Sequence, residues 1–97
     1  MATDAKFIPL ITSGTGTTWV SGANVSPATV VHVLNNTGTT ITFRRQGDTA
    51  ATFELPTSMA WSFRGLTNSN QLQFRRADTS NTPVTAWGEV EFETRTP

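Results

Sequence analysis

Three carboxylates stand two residues apart near the end of this chain, at Glu89, Glu91 and Glu93. On an extended strand they share one face with Thr85 and Trp87 and lie ~7 Å apart. Two carboxylates hydrolyse glycosides when they flank a cleft and one is held protonated. Three on an open strand face are solvated alike and repel one another, so the pattern asks for positive charge opposite. Arg44, on a polar face with Thr40 and Thr42, and Arg75, on a polar face with Gln71 and Gln73, can supply it. The stripes either close within one subunit, as cross-strand pairs worth about 0.2–1 kcal/mol each, or meet between subunits, where complementary charge sets register and specificity.

The remaining chemistry is sparse. His32 is the only histidine and shares a strand face with Val30 and Leu34. A lone imidazole needs further ligands to hold a metal, and no Cys, Asp or Glu lies near it at ligand spacing. A buried, hydrogen-bonded neutral His is the expectation, and no metal site. A serine nucleophile would need His32 as its base beside an elbow serine, and no G-x-S-x-G occurs. Gly14-Thr15-Gly16 lacks the strand–loop–helix setting of a phosphate loop. No catalytic residue and no cofactor site is therefore expected, and the chain reads as non-enzymatic. The doublets Arg44-Arg45 and Arg75-Arg76 have no aromatic residues interleaved on their face, which argues against nucleic acid. Of the three tryptophans, Trp61 shares a face with Phe63 and is expected in the core. Trp87 stands on the acidic face, where it marks a contact surface, lies under an arm such as Lys6–Thr12, or forms a sugar platform. The candidate interface set is Trp87, Glu89, Glu91, Glu93, Arg44 and Arg75.

The elements that must position these residues are strands. From Thr29 to Glu93 apolar and polar residues alternate with period two, broken by clusters of Gly, Asn, Asp, Ser and Pro. The pattern predicts strands at Lys6–Thr12, Thr17–Ser21, Thr29–Leu34, Thr40–Arg45, Ala51–Leu55, Met59–Phe63, Gln71–Arg76 and Val84–Glu93. Pro9 lacks a backbone donor and places the first strand at an edge or in an arm. Asn35-Asn36-Thr37-Gly38 carries the residues of a tight hairpin turn and predicts that Thr29–Leu34 and Thr40–Arg45 pair. On the last strand Val84, Ala86, Gly88, Val90 and Phe92 face inward. About seven or eight short strands in 97 residues predict an all-β, two-layer antiparallel β-sandwich, with a small barrel as the alternative. One domain spans 1–97, with 1–12 an arm or edge strand and 94–97 a short tail.

Composition limits the possibilities further. Hydrophobic residues make up only 36% of the chain, so its nine aromatic residues are expected to carry much of the core. Thr, close to one residue in five, suits exposed strand positions. Seven basic residues balance seven acidic ones, giving no electrostatic reason to seek nucleic acid or an anionic membrane. The absence of Cys removes disulfides and thiolate chemistry. No apolar run reaches the ~18–20 residues of a membrane span. Met1–Lys6 shows no secretory signal pattern, which predicts synthesis in the cytoplasm.

The stretch Thr29–Glu93 resembles small β-sandwich accessory proteins of phage virions. The resemblance is carried by Val30-Val31-His32-Val33-Leu34-Asn35-Asn36-Thr37-Gly38, then Ile41-Thr42-Phe43-Arg44-Arg45, then Phe53-Glu54-Leu55-Pro56, and the aromatic and final strands. It implies a virion structural component, in capsid decoration, neck or tail. Such a protein works by self-association as a homo-oligomer and by adhesion to other virion proteins. A carbohydrate- or receptor-binding module is the alternative, with glycan as the partner.

Overall fold

The computed structural model describes residues 2–94, with side chains for 5–48 and 50–91. Its strands are β1 (Ala2–Ile11), β2 (Val20–Ser21), β3 (Ala28–Asn35), β4 (Ile41–Arg45), β5 (Asp48–Leu55), β6 (Met59–Arg64), β7 (Leu72–Arg76) and β8 (Thr85–Thr94). One 3-10 turn, Ser69–Gln71, leads into β7. The strands form two antiparallel sheets, ordered β1-β8-β3-β6 and β2-β7-β4-β5. We call these sheet A and sheet B. The chain is a β-sandwich, and its sheets do not close into a barrel.

The strand order has a simple rule. β1 pairs with β8, β2 with β7, β3 with β6 and β4 with β5. The chain is one long doubled hairpin, rolled so that its successive pairs fall alternately into two sheets. That is the jelly-roll arrangement. Only β4 and β5 join through a tight turn, Gln46-Gly47, with Arg45 opposite Asp48 and Gly47 at φ 86°. Positive φ is what glycine accepts without steric cost.

The pairing of β3 with β4 is therefore a correction. β3 already has β8 on one side and β6 on the other, so it has no free edge, and the chain crosses to sheet B. The turn residues serve this crossing. Asn35 is fully buried, and its Nδ2 donates to the carbonyls of Thr39 and Leu55, each at 2.8 Å. Its Oδ1 accepts from Thr37 N at 3.1 Å and Thr37 Oγ1 at 2.7 Å. A side chain that bonds the backbone ahead of it is an Asx turn, and here it pins the corner to β5. The ends of other strands shift too. β1 begins at Ala2, because β8 pairs with it as far as Thr94, and β2 shrinks to two residues.

The core between the sheets is mainly aliphatic. Ile8, Leu10, Val31, Val33, Ile41, Leu55, Leu72 and Val90 surround Phe43, Phe63 and Phe74. Phe43 lies 4.8 Å from Phe63 and 5.9 Å from Phe74 between ring centroids. The expectation that the aromatics dominate the core fails for most of the others. Phe7, Phe53, Trp61 and Trp87 are exposed. Phe7 and Trp87 occupy outward positions on sheet A. Trp61 faces the same side as Phe63, but β6 is an edge strand, so the indole emerges at the open flank of the sandwich, 5.0 Å from Phe53. On β8, Ala86, Gly88 and Val90 are buried while Thr85 and Trp87 are exposed, which is the alternation read from the sequence. The side chain of Phe92 lies outside the described residues.

The β7–β8 loop is held by its own charges. Arg76 Nε and Nη2 donate to Asp78 Oδ1 and Oδ2 at 3.0 and 2.8 Å, and Arg76 Nη1 donates to the Thr82 carbonyl at 2.9 Å. The Arg76 hydrogen bonds, and then that of the Ser80 amide, hold the Asp78 carboxyl below its ordinary value of 3.8. A depressed carboxylate contributes its stabilisation above the unfolded pKa and loses it as pH falls through the folded one. An NMR titration of Asp78 is expected to show a midpoint below 3.8, and a midpoint at or above that value would mean the fork does not form in solution.

The same loop presses on Gly16. Gly16 has φ 42°, and a Cβ there would collide with the backbone carbonyl of Thr79. Gly16→Ala is expected to cost ~1–2 kcal/mol from its left-handed backbone alone, and more from displacing the loop. Chemical denaturation is expected to show a lower midpoint at an unchanged slope. An unchanged midpoint would mean that the two loops do not pack.

Candidate functional site

The outer face of sheet A collects the exposed groups, and strand register sets them in rows. One row runs Pro9–Trp87–Leu34–Ala60 across β1, β8, β3 and β6. The next runs Phe7–Glu89–His32–Ser62, and the third runs Ala5–Glu91–Val30–Arg64. Trp87, Glu89, His32 and Leu34 point outward because their strand neighbours Ala86, Gly88, Val90, Val31, Val33 and Asn35 are buried. Phe7 is 75% exposed, Trp87 50% and Leu34 48%. A shallow open groove of about 670 Å³ crosses this face, lined by Phe7, His32, Leu34, Trp61, Trp87 and Glu89 among others.

His32 is half-buried in the middle of this face, and not in the core as expected. Its Nδ1 lies 2.6 Å from Ser62 Oγ, and its Nε2 lies 3.4 Å from Glu91 Oε1. Glu89 is directly opposite His32, and Glu91 is its diagonal neighbour. The sequence offered no ligand or base partner near His32, because Glu89 and Ser62 are brought to it by pairing across β8 and β6. Ser62 sits mid-strand, not at an elbow. Its outward position was readable from Trp61 and Phe63 on either side, but its contact with His32 was not.

Arg44 and Arg75 lie on the opposite side of the molecule. They project from β4 and β7 on the outer face of sheet B, in adjacent rows. Both guanidinium groups lie over the Trp19 ring, 4.2 and 4.4 Å from its centroid. Arg44 Nε also donates to Gln73 Oε1 at 2.8 Å, and Arg75 Nη1 to the Thr17 carbonyl at 2.9 Å. Pairing of the glutamate and arginine stripes within one subunit is thus corrected. β8 belongs to sheet A, β4 and β7 to sheet B, and the sandwich core separates them. Among the described residues the ion pairs are His32–Glu91 and Arg76–Asp78. The side chain of Glu93 lies outside the described residues. Of the candidate set, Trp87, Glu89 and Glu91 share one face, and Arg44 and Arg75 share the other. Phe7, Leu34 and Ser62 join the first face. Trp19, bracketed by two arginines, joins the second. β1 pairs edge to edge with β8 instead of covering Trp87.

A smaller groove of about 220 Å³ opens between the sheets at the β5–β6 flank, lined by Phe43, Arg45, Phe53, Trp61, Phe63 and Leu72 among others. It is the unsealed side of the sandwich.

No protein-family model matches the chain, and no curated protein matches it. Among the solved structures similar to it are two all-β proteins. One is a de novo designed double-stranded β-helix, 18% identical, with 91% of this chain and 97% of that chain covered and a TM-score of 0.46. The other comes from Bacillus endospore appendages, described as a family of disulfide-linked pili. It is 14% identical, with 97% of this chain and 88% of that chain covered and a TM-score of 0.49. The present chain contains no Cys.

Proposed function

We propose that this protein is a non-enzymatic structural subunit that associates with copies of itself through the outer face of sheet A. The observation that carries this is the placement of Phe7, Trp87 and Leu34 side by side on that face. A chain short of apolar residues leaves three of its large ones in water there. Contiguous exposed apolar surface of this kind marks contact surfaces, and aromatic residues at the centre of an interface supply most of its affinity.

Charge selects the occupant. Two copies meeting sheet A to sheet A would oppose Glu89 and Glu91 to one another. Sheet A of one copy against sheet B of the next sets those carboxylates toward Arg44 and Arg75. Such a head-to-tail contact is heterologous, and it builds a ring if the rotation closes and a filament if it does not. The resemblance to virion accessory proteins supports the finer reading, a component of a phage particle that also adheres to neighbouring particle proteins.

The test is the mass in solution by light scattering over a concentration series at low and high salt. A concentration-dependent rise to a discrete oligomer or a growing series, weakened by salt, is expected. A monomer at all concentrations would overturn the reading.

A second reading has its own observation. The groove on sheet A sets Trp87 and Trp61 beside His32, Glu89 and Arg64, and aromatic faces with polar groups alongside suit a sugar. Saturable quenching of tryptophan fluorescence by a glycan, lost in Trp87→Ala, would favour this reading. No response across a broad glycan panel would remove it.

A further inference from the structure

We propose that His32, Glu89 and Glu91 form a binding site for a single divalent first-row transition metal ion of the Zn²⁺ type. The ligand atoms these three residues offer all lie within 4.8 Å of one another. Register makes the cluster, with Glu89 opposite His32 and Glu91 on the diagonal. The geometry inside it suits a metal as well as the ion pair. His32 Nε2 and Glu91 Oε1 are 3.4 Å apart, beyond the ~2.7–3.2 Å of a good N–H···O bond. Two ligands held ~2.0–2.1 Å from a tetrahedral Zn²⁺ lie about 3.4 Å from each other. The observed gap is that span.

The other side of the ring supplies the support a metal-bound imidazole requires. Ser62 Oγ stands 2.6 Å from His32 Nδ1. With a metal on Nε2, the proton resides on Nδ1 and is donated to the Ser62 hydroxyl oxygen. That bond fixes both the tautomer and the ring plane, as outer-shell partners of metal-bound histidines do. One imidazole and two carboxylates suit Zn²⁺, Co²⁺ or Ni²⁺ better than Ca²⁺ or Mg²⁺, which prefer all-oxygen sites. Three protein ligands leave the fourth tetrahedral position open to solvent. Two carboxylates and a neutral imidazole against a dication leave no net charge at the site.

This inference does not depend on self-association, and His32 separates the two. The experiment is calorimetric titration of the full chain with ZnSO₄ at about pH 7.5, repeated with CoCl₂ by visible absorption. Because His32 is the only histidine, any imidazole ligation reports on this site. One metal per chain is expected, with the intense visible bands of tetrahedral Co²⁺. Binding is expected to weaken roughly 10–100-fold in Ser62→Ala, the range found for loss of an outer-shell partner. It should weaken further in His32→Ala and Glu91→Gln, with circular dichroism confirming that each variant is folded. No saturable binding by the folded wild-type chain would overturn the proposal. So would affinity unchanged in His32→Ala, which would mean that surface carboxylates alone take the ion.

Discussion

Asn35→Leu is expected to destabilise the chain severely, although it replaces a polar side chain by an apolar one in a buried position. Leucine has the same branched heavy-atom skeleton as asparagine and leaves no cavity, so the main loss is polar. The carbonyls of Thr39 and Leu55 each lose a buried donor, and the Thr37 amide and hydroxyl lose their acceptor. A buried group left without its partner costs about 1–3 kcal/mol. Two carbonyls therefore cost roughly 2–6 kcal/mol. At about 4–8 °C per kcal/mol for a domain of this size, the melting temperature should fall by about 10 °C or more. Asn35→Asp is the informative companion. It keeps the acceptor for Thr37 but presents carboxylate oxygen to two carbonyls, so it should be at least as damaging. Thermal melts of the two variants check the account. Near-wild-type melting of Asn35→Leu would mean that the corner is held by something other than this amide.

The second large effect concerns association. Glu89→Arg with Glu91→Arg turns the central charge of the sheet A face from acidic to basic. In head-to-tail stacking it sets four positive groups against one another at each contact. Like charges juxtaposed at an interface cost several kcal/mol, enough to weaken association by roughly 100-fold or more. Both side chains point outward from β8, so melting should change little. Arg44→Glu with Arg75→Glu alone should weaken association to a similar degree. It also removes two cations from the Trp19 ring, each worth about 0.5–1 kcal/mol at an exposed site. Mixing the two double variants is the decisive step. Each presents one wild-type face and one reversed face, so like-with-like contacts repel while the two reversed faces attract. Light scattering should show that the mixture regains association that neither variant has alone. Dissociation of neither variant would remove the acidic face from the interface.

The strands could be read from the sequence because a half-buried strand alternates, and β8 alternates for most of its length. Strand order could not, and the Asn35–Gly38 turn shows why. Asn and Gly permit the backbone conformations of a tight turn, and a corner between sheets uses the same conformations as a hairpin. What distinguishes them is whether β3 still has a free edge, and that depends on β6 and β8, far away in the chain. The candidate site divides in the same way. The outward direction of Trp87, Glu89 and Glu91 is local, and was legible. That Arg44 and Arg75 stand on the other sheet, and that His32 meets Glu89, depends on sheet assignment and register. Trp61 is an intermediate case. Its facing was legible, but its exposure follows from β6 being an edge.

The nested pairing also governs how quickly the chain can fold. Only β4 and β5 join through a tight turn. Every other pair closes over a progressively longer stretch, until β1 meets β8 with Ala2 beside Thr94. Loop closure takes entropy before each pairing returns any energy. Folds dominated by such distant contacts form in milliseconds to seconds, where helical bundles of similar size take microseconds to milliseconds. β8 is the central difficulty, because it is the last of the eight strands to be synthesised and yet lies between β1 and β3. Until it arrives, β1 has no neighbour and β3 keeps an open edge. A nascent chain therefore waits for its final strand with unpaired backbone exposed, and crowding at that stage favours pairing with a neighbouring chain.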